Sequence, residues 1–318
     1  MPICLRAIKR SYYKQFEVLI VDDHSTDESV EIARQFDAAI ISAEGGSGAN
    51  FARNLGAEHA KGDILIFIDS DIVVKRETIL GIVEALEDPH VDAVVGIYSA
   101  MHRRETLVSQ YKNLWVRYSY MKSPPAIDWL FGAISGIRSE SFKRLGGFNV
   151  ELLAVHGQDD IELGKRFANA KLNIVLDMEI EVEHLKMYTL LSFVKNEFNR
   201  SMGFAELAAR LGETSAVMTK GFVNVYPEFI ISTVFSVVLL VTAGVAWCGC
   251  GTPWYLFGAI GVYLLLNIRF LNYLEQVRGL FAMVFMVGFL FLDHLVCFVG
   301  SMVGLIRGTM FGKKSSLS

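Results

Sequence analysis

Asp69 and Asp71 stand two residues apart at the end of the uninterrupted apolar run Ile64–Ile68, with the small Ser70 between them. Two carboxylates held that close repel unless a cation joins them. A divalent metal holding a diphosphate would supply that charge, because Mg²⁺ is usually bound by one or two carboxylates plus substrate phosphates. A solvated Asp-rich loop after a strand would carry the same residues, so the pair gains meaning from its neighbours. A second acidic turn, Asp22-Asp23-His24-Ser25-Thr26-Asp27, follows the stretch Phe16-Glu17-Val18-Leu19-Ile20-Val21, which reads as a strand. Ser25, Thr26 and Asp27 are helix N-cap types and Glu28 suits a first helical turn, so Asp22 and Asp23 either face a ligand or cap. A third turn, Glu44-Gly45-Gly46-Ser47-Gly48-Ala49-Asn50, is rich in glycine. Glycines let a backbone approach a phosphate, and a helix N-terminus favours anions. Arg53, one turn further on, adds a guanidinium that pairs well with phosphate oxygens.

These residues need elements that bring them to one place. Five apolar residues bounded by Gly62 and the carboxylate pair predict a short strand buried on both faces, in a sheet covered by helices. In open α/β sheets the ligand lies beyond the carboxyl ends of the strands, where Asp69 and Asp71 fall. Residues 2–15 form an amphipathic helix, Phe16–Val21 and Ala38–Ser42 strands, Glu28–Phe36 and Glu77–Glu87 helices, and Ala93–Ile97 a further strand. Val175–Met178 and Glu181–Glu183 read as extended. The four cysteines do not suggest a disulfide framework, since Cys248, Cys250 and Cys297 lie in or beside apolar segments. A formal net charge of −4 and the lack of a basic stripe give no sign of a nucleic-acid partner. The Arg/Lys-rich, weakly apolar start does not resemble a cleavable signal peptide.

The ordered set Val21-Asp22-Asp23-x-Ser25-Thr26-Asp27, Ala52-Arg53-Asn54, Asp69-x-Asp71, Gly146-Gly147-Phe148 and Gln158-Asp159-Asp160-Ile161-Glu162-Leu163-x-x-Arg166 resembles family 2 glycosyltransferases of the GT-A fold. The pattern spans roughly residues 3–190. The resemblance implies an α/β fold class, a GT-A (Rossmann-like) nucleotide-sugar-binding domain followed by a helical membrane domain. It implies that Asp22 and Asp23 contact the base and ribose of a nucleoside-diphosphate sugar, and that Arg53 lies near the nucleotide. Asp69 would bind the nucleotide sugar and, with Asp71, hold the diphosphate through Mg²⁺ or Mn²⁺. Asp159 and Asp160 match the family's acidic pair, with Asp160 at the position of the catalytic base and Asp in place of the commoner Glu at 159. They also suit capping of the helix Ile161–Ala170. His184 either completes the metal shell, as a histidine at such a strand end does in some GT-A enzymes, or is a local structural residue. Trp129–Ile137 falls where the family keeps an acceptor-side loop. Family members begin with a strand that ends in a P-x-x-N-like turn, and this sequence starts after it; an upstream start or a partly lost nucleotide site would explain that.

The remainder is apolar. No charged residue occurs between Phe229 and Ile268, which is membrane-like. Phe229–Trp247 and Trp254–Ile268 predict two spans joined by a Cys-Gly-Cys-Gly-Thr-Pro turn. Lys220, Arg269 and Arg278 mark the cytoplasmic side by the positive-inside rule. A third segment, Gly279–Ile306, is interrupted by Asp293-His294 and either spans or turns back. Tyr188–Phe204 predicts an amphipathic helix at the bilayer interface, with Lys195, Asn196, Asn199 and Arg200 on its polar face. The resemblance gives Arg200 a nucleotide-sugar role, since processive polysaccharide synthases carry Q-x-x-R-W on such a helix. Here Glu197-Phe198-Asn199-Arg200-Ser201 keeps the arginine and lacks the Gln and Trp. The expected layout is a transferase domain over residues 1–187, an interfacial helix and linker over 188–225, and two or three spans over 226–318. The expected activity is metal-dependent, inverting transfer of a sugar from a nucleoside-diphosphate donor to an acceptor, lipid-linked and serving cell-surface glycan synthesis. The expected enzyme is a multi-pass membrane protein with a cytoplasmic catalytic domain. A processive synthase and a non-catalytic degenerate transferase are the alternatives.

Overall fold

The computed structural model describes residues 1–43, 48–103, 106–151, 158–215, 217, 221–249 and 254–311. Most of the glycine-rich turn (44–47), part of the Cys-Gly-Cys turn (250–253), Lys220 and the tail from 312 lie outside those residues. The chain divides into two units, Met1–Arg103 with Ser123–Ala154 and Gln158–Lys186, and Arg104–Lys122 with Met187–Ser318.

The first unit opens on α1 (Pro2–Lys9), whose buried stripe is Cys4, Leu5 and Ile8. β1 (Leu19–Asp22), α2 (Ser29–Ala33) and β2 (Ala39–Ser42) follow, and the two strands pair in parallel as a separate two-stranded sheet. Then come α3 (Ala49–His59), β3 (Ile64–Ile68), β4 (Ile72–Val74), α4 (Thr78–Ala85) and β5 (Ala93–Tyr98). After α5 (Leu107–Met121), which belongs to the second unit, the first unit resumes with β6 (Ala126–Ile127), β7 (Ile134–Arg138), α6 (Ser139–Arg144), α7 (Asp159–Asn169) and β8 (Ile174–His184). The main sheet runs β3-β7-β5-β8-β4, with β6 beside β8. β5 and β8 are parallel, and β7 is antiparallel to both β3 and β5.

Three expectations change here. The strand buried on both faces is β5, every residue of which is buried, whereas β3 ends the order of the main sheet and fully buries only Leu65. An edge strand has one neighbour and correspondingly less cover. The stretch Trp129–Ile137, expected to be a loop throughout, becomes strand β7 from Ile134 onward. Gly136 lets it lie inside the sheet layer: a Cβ there would come 2.2 Å from Ile82 Cγ2. Likewise the two extended runs around residue 180 are one strand, β8, of 11 residues.

The second unit is helical. It comprises α5, α8 (Leu190–Arg210), α9 (Pro227–Trp247), α10 (Trp254–Leu266) and α11 (Ile268–Phe311). α8 begins at a capping box, Thr189 Oγ1 accepting from the Ser192 N–H while the Ser192 hydroxyl accepts from the Thr189 N–H. α11 departs from helical geometry at Gly279, where φ is +82°. Of the two courses left open for the segment around Asp293-His294, the helix runs on through both residues, whose side chains are fully buried and bonded. Tyr111 Oη donates to Asp293 Oδ2 at 2.8 Å, and Tyr263 Oη lies 2.7 Å from His294 Nδ1. Gly300, Gly304 and Gly308 let α11 lie directly on α8: added Cβ atoms would meet Ser201 Oγ at 2.2 Å, the Met202 carbonyl at 2.1 Å and Ala209 Cβ at 2.5 Å. Such spacing of small residues is how apolar helices achieve close backbone contact. α9 and α11 are long and apolar enough to cross a membrane, while α10, with 13 residues, is shorter.

Arg200 does not lie on an outward polar face of α8. It is paired with Glu197 at 2.7 Å and sits over the Trp115 ring at 4.7 Å. Glu197 is fully buried and also meets Lys112 Nζ at 2.6 Å. Burial works against ionisation of Glu197, but Arg200 and Lys112 outweigh it and hold the carboxyl down to about 2.

Candidate active site

Each acidic motif occupies the end of an element whose backbone aims it. Asp69 and Asp71 occupy the turn from β3 to β4; the Asp69 N–H donates to the Ala133 carbonyl beside β7, and the Ile72 N–H closes the turn onto the Asp69 carbonyl. α3 carries Arg53, whose guanidinium bridges two of these motifs. It reaches Asp69 Oδ1 at 3.3 Å and Asp159 Oδ2 at 2.5 Å, and lies over the Phe148 ring at 5.4 Å. Burial raises the Asp69 carboxyl against the opposing pull of Arg53. Asp71 is the reverse case: its hydrogen bond from His184 holds it below the usual carboxylate range.

Asp159 and Asp160 open α7, where carboxylates also suit the helix dipole. Their roles differ. Asp159 is the ion-pair partner of Arg53. Asp160 accepts the Gly132 N–H at 2.8 Å on Oδ2 and the Ile161 N–H at 2.9 Å on Oδ1. Burial, with the neighbouring Asp159 charge added, pushes Asp160 up to about 7. A carboxyl with that value is poised to take a proton near neutral pH. Gly132 packs closely on both groups, since a Cβ there would meet Asp160 Oδ2 at 3.3 Å and Arg53 at 3.5 Å.

The remaining motif residues brace this centre. Gly146 and Gly147 both adopt positive φ. Asn54 grips the turn that follows, donating to the Phe148 carbonyl and accepting its N–H, both at 2.8 Å. Arg166 donates to the carbonyls of Leu145 and Gly147 at 2.6 Å while pairing with Glu162. α7 meets the chain before Gly132 closely: a Cβ at Gly164 would come 2.4 Å from Trp129 Cα.

Asp22 and Asp23 sit at the end of β1. Asp22 Oδ1 accepts the Ser25 N–H at 3.1 Å, a local turn contact, and Asp23 Oδ2 accepts the Gly48 N–H at 3.0 Å at the start of α3. Asp23 thus ties the first acidic turn to the helix that carries Arg53. The rest of the glycine-rich turn lies outside the described residues. Arg200 belongs to the second unit, with the partners given above.

The metal-ligand candidates Asp69, Asp71 and His184 do not offer three atoms to one point, because Asp69 faces Arg53 while Asp71 faces His184 Nε2 at 3.3 Å. The donor set of two carboxylates and an imidazole still suits Mn²⁺ or Mg²⁺. His184 is fixed by stacking on Tyr98, with ring centroids 4.7 Å apart. A cation would have to compete with Arg53 for Asp69. Among the described residues the group whose ligand atoms do converge is Glu197, Asp293 and Cys297. Lys112 and Arg200 already balance that cluster, so its charge does not call for a cation. Sequence reasoning missed the Gly132 N–H and Tyr98. Glycine beside an apolar stretch was the available signal for the first, and nothing pointed to the second.

Residues 1–146 match the family described as glycosyl transferase family 2, and residues 113–189 match a domain described as N-terminal domain of galactosyltransferase. Over residues 1–146 the chain is thus similar to family 2 glycosyltransferases. Among curated proteins the chain is 33% identical over 100 residues to glycosyltransferase GlyG of Streptococcus pneumoniae serotype 4, covering 30% of this chain and 33% of that protein. It is 36% identical over 100 residues to glycosyltransferase AglE of Haloferax volcanii, covering 29% and 33%. The matches thus span about a third of those relatives. Among solved structures, the mannosyltransferase PcManGT from Pyrobaculum calidifontis, in complex with GDP-Man and Mn²⁺, aligns over 98% of this chain and 83% of its own. The TM-score is 0.53 at 18% identity, a likeness of fold.

Proposed function

We propose that this chain is a glycosyltransferase of family 2 type, an inverting, membrane-anchored enzyme that moves one sugar from a nucleoside-diphosphate donor to a lipid-linked acceptor. The observation that carries the reading is Asp160, fixed by two backbone N–H groups and raised to about 7, beside Arg53 and the Asp69 and Asp71 carboxylates. Asp160 takes the proton of an acceptor hydroxyl as its oxygen bonds to the anomeric carbon. The bond from that carbon to the diphosphate breaks on the opposite side, which inverts the centre, and the nucleoside diphosphate leaves with the electron pair. Arg53 is placed to exchange its carboxylate partners for diphosphate oxygens. A bound Mg²⁺ or Mn²⁺, held by Asp69 and Asp71 with His184, would neutralise charge on the leaving group. Asp22 and Asp23 are assigned to the nucleoside end by the family resemblance, and the Gly48 N–H joins Asp23 to the start of α3, the helix that carries Arg53.

Membrane anchoring is supported by α9 and α11, whose outward residues include Leu240, Val241, Phe281 and Phe285, all more than half exposed. Patches of that kind are rare on soluble monomers and are at home against lipid. An enzyme anchored this way most easily meets an acceptor that is itself in the bilayer. Its nucleotide sugar would be drawn from the cytoplasmic side, where the positive-inside rule puts Arg269 and Arg278. The test offers detergent-solubilised chain a panel of nucleotide sugars with Mg²⁺ or Mn²⁺, with lipid-linked and water-soluble acceptors side by side, and follows nucleoside diphosphate release. Failure of every donor in the panel to give nucleoside diphosphate release would refute the reading, and transfer to the soluble acceptor alone would refute its lipid part.

A further inference from the structure

The helical unit contains a cavity of about 240 Å³, walled by the end of α5, the approach to α9, the end of α10 and the first turn of α11. Its floor is apolar, with Trp115, Phe270 and Leu290 all nearly inaccessible. Its mouth carries Lys122, Glu228 and Arg269. The charges there do not cancel. Lys122 Nζ pairs with Glu228 at 3.4 Å and lies over the Tyr226 ring at 4.3 Å. Arg269 makes no hydrogen bond or ion pair among the described residues, which leaves one positive charge over. It also stands in the first turn of α11, where the helix dipole disfavours a cation unless an anion joins it. Lys122 and Arg269 thus share the one carboxylate of Glu228, and an exposed guanidinium above an apolar floor matches a ligand with an anionic head and a hydrocarbon tail.

Position and size narrow the class. The start of α9 and the end of α10 meet at this cavity, so in a bilayer its mouth lies at the level of the headgroups, where tyrosines such as Tyr118 and Tyr226 concentrate. The volume is below the roughly 300–1,000 Å³ of sites that enclose a drug-sized ligand. It admits a phosphate and the first carbons of one chain, and not the branched glycerol of a two-chain lipid.

We infer that this cavity binds the phosphate end of a single-chain lipid, its phosphate on Arg269 beside Lys122 and its first carbons on Phe270 and Leu290. This deepens the lipid-acceptor reading and rests on it only for its purpose. Binding is therefore measured without any donor, so that a failure of sugar transfer cannot be mistaken for a failure of the site. Native mass spectrometry of the full chain in dodecyl maltoside would compare farnesyl phosphate, farnesol and dioleoyl phosphatidylglycerol at equal micellar mole fraction. Farnesyl phosphate should be retained at least about tenfold better than farnesol. Arg269→Gln should remove about that factor, the size of one charge-assisted hydrogen bond. Arg269 is exposed, so its replacement should leave the thermal midpoint in place, and Lys122→Gln gives a second, smaller loss. Equal retention of farnesol, or no effect of either substitution, would overturn the site. Equal or better retention of phosphatidylglycerol would overturn the single-chain assignment.

Discussion

If Asp160 is the base, its protonation must control the reaction, and the structure sets where. The free carboxyl rises from 3.8 to about 7, first through burial and then through the Asp159 charge. Below that value the group holds its proton and cannot accept another, so kcat/KM should fall tenfold for each pH unit below about 7. About one tenth should remain at pH 6 and about one hundredth at pH 5. An ordinary aspartate would keep most of its rate at pH 5. The same shift has a stability signature of definite sign. Between pH 4 and pH 7 the folded chain binds a proton that the unfolded chain has lost, so Asp160 favours the fold at low pH and that contribution disappears as pH rises through 7. Each tenfold in proton affinity is about 1.4 kcal/mol, so keeping Asp160 ionised above pH 7 costs roughly 4 kcal/mol at most. Asp160→Asn should therefore lower kcat by about 10²–10⁴-fold while flattening the pH dependence of the thermal midpoint between pH 4 and 7. The assay is nucleoside diphosphate release at saturating Mn²⁺ from pH 5 to 9, with binding of the diphosphate followed across the same range to separate loss of donor. A flat kcat/KM down to pH 5, or more than a tenth of the wild-type kcat in Asp160→Asn, would refute the assignment.

Three further outcomes follow from the contacts described. Arg53→Met frees Asp69 and Asp159 of their counter-ion, so calorimetry on the nucleotide-free chain should show tighter Mn²⁺ binding together with a lower kcat; unchanged Mn²⁺ affinity would mean that Arg53 does not compete for Asp69. Glu197→Gln leaves Lys112 and Arg200 buried without their carboxylate and should cost about 3–5 kcal/mol, read as a lower midpoint in detergent, with part of the loss recovered when Lys112→Met is added. Gly304→Ala forces a methyl against the Met202 carbonyl, which as backbone cannot turn aside, and should cost about 1–3 kcal/mol, whereas Gly288→Ala, where a Cβ meets nothing within 4 Å, should leave the midpoint unchanged.

What could be read from the sequence was what is local. The acidic turns announce themselves because an apolar run, a small residue and carboxylates follow one another within a few positions, and α3 and α7 begin where their acidic or glycine-rich turns indicate. The hydrogen bond that fixes Asp160 joins it to Gly132 across 28 positions, and no pattern in either segment specifies that meeting. The same limit explains Arg200. On a helical wheel it belongs to the polar face of α8, and only packing against α5 brings Lys112 and Trp115 to it and turns an outward basic face into an inward charge network. Asp293-His294 left the course of its segment open for a related reason: two polar residues in an apolar segment allow a span or a turn back while their partners, Tyr111 and Tyr263, are out of view. The true departure from helix geometry is at Gly279, where a residue without Cβ adopts positive φ at little cost. α5 carries the most consequence. It lies in sequence inside the expected first domain, residues 1–187, yet Tyr111 and Leu114 are fully buried, and Tyr111 bonds to Asp293 on α11. A boundary drawn at residue 187 assigns this helix to the first unit, while its contacts assign it to the second, so the chain visits the helical unit before the acidic pair Asp159-Asp160 has been laid down.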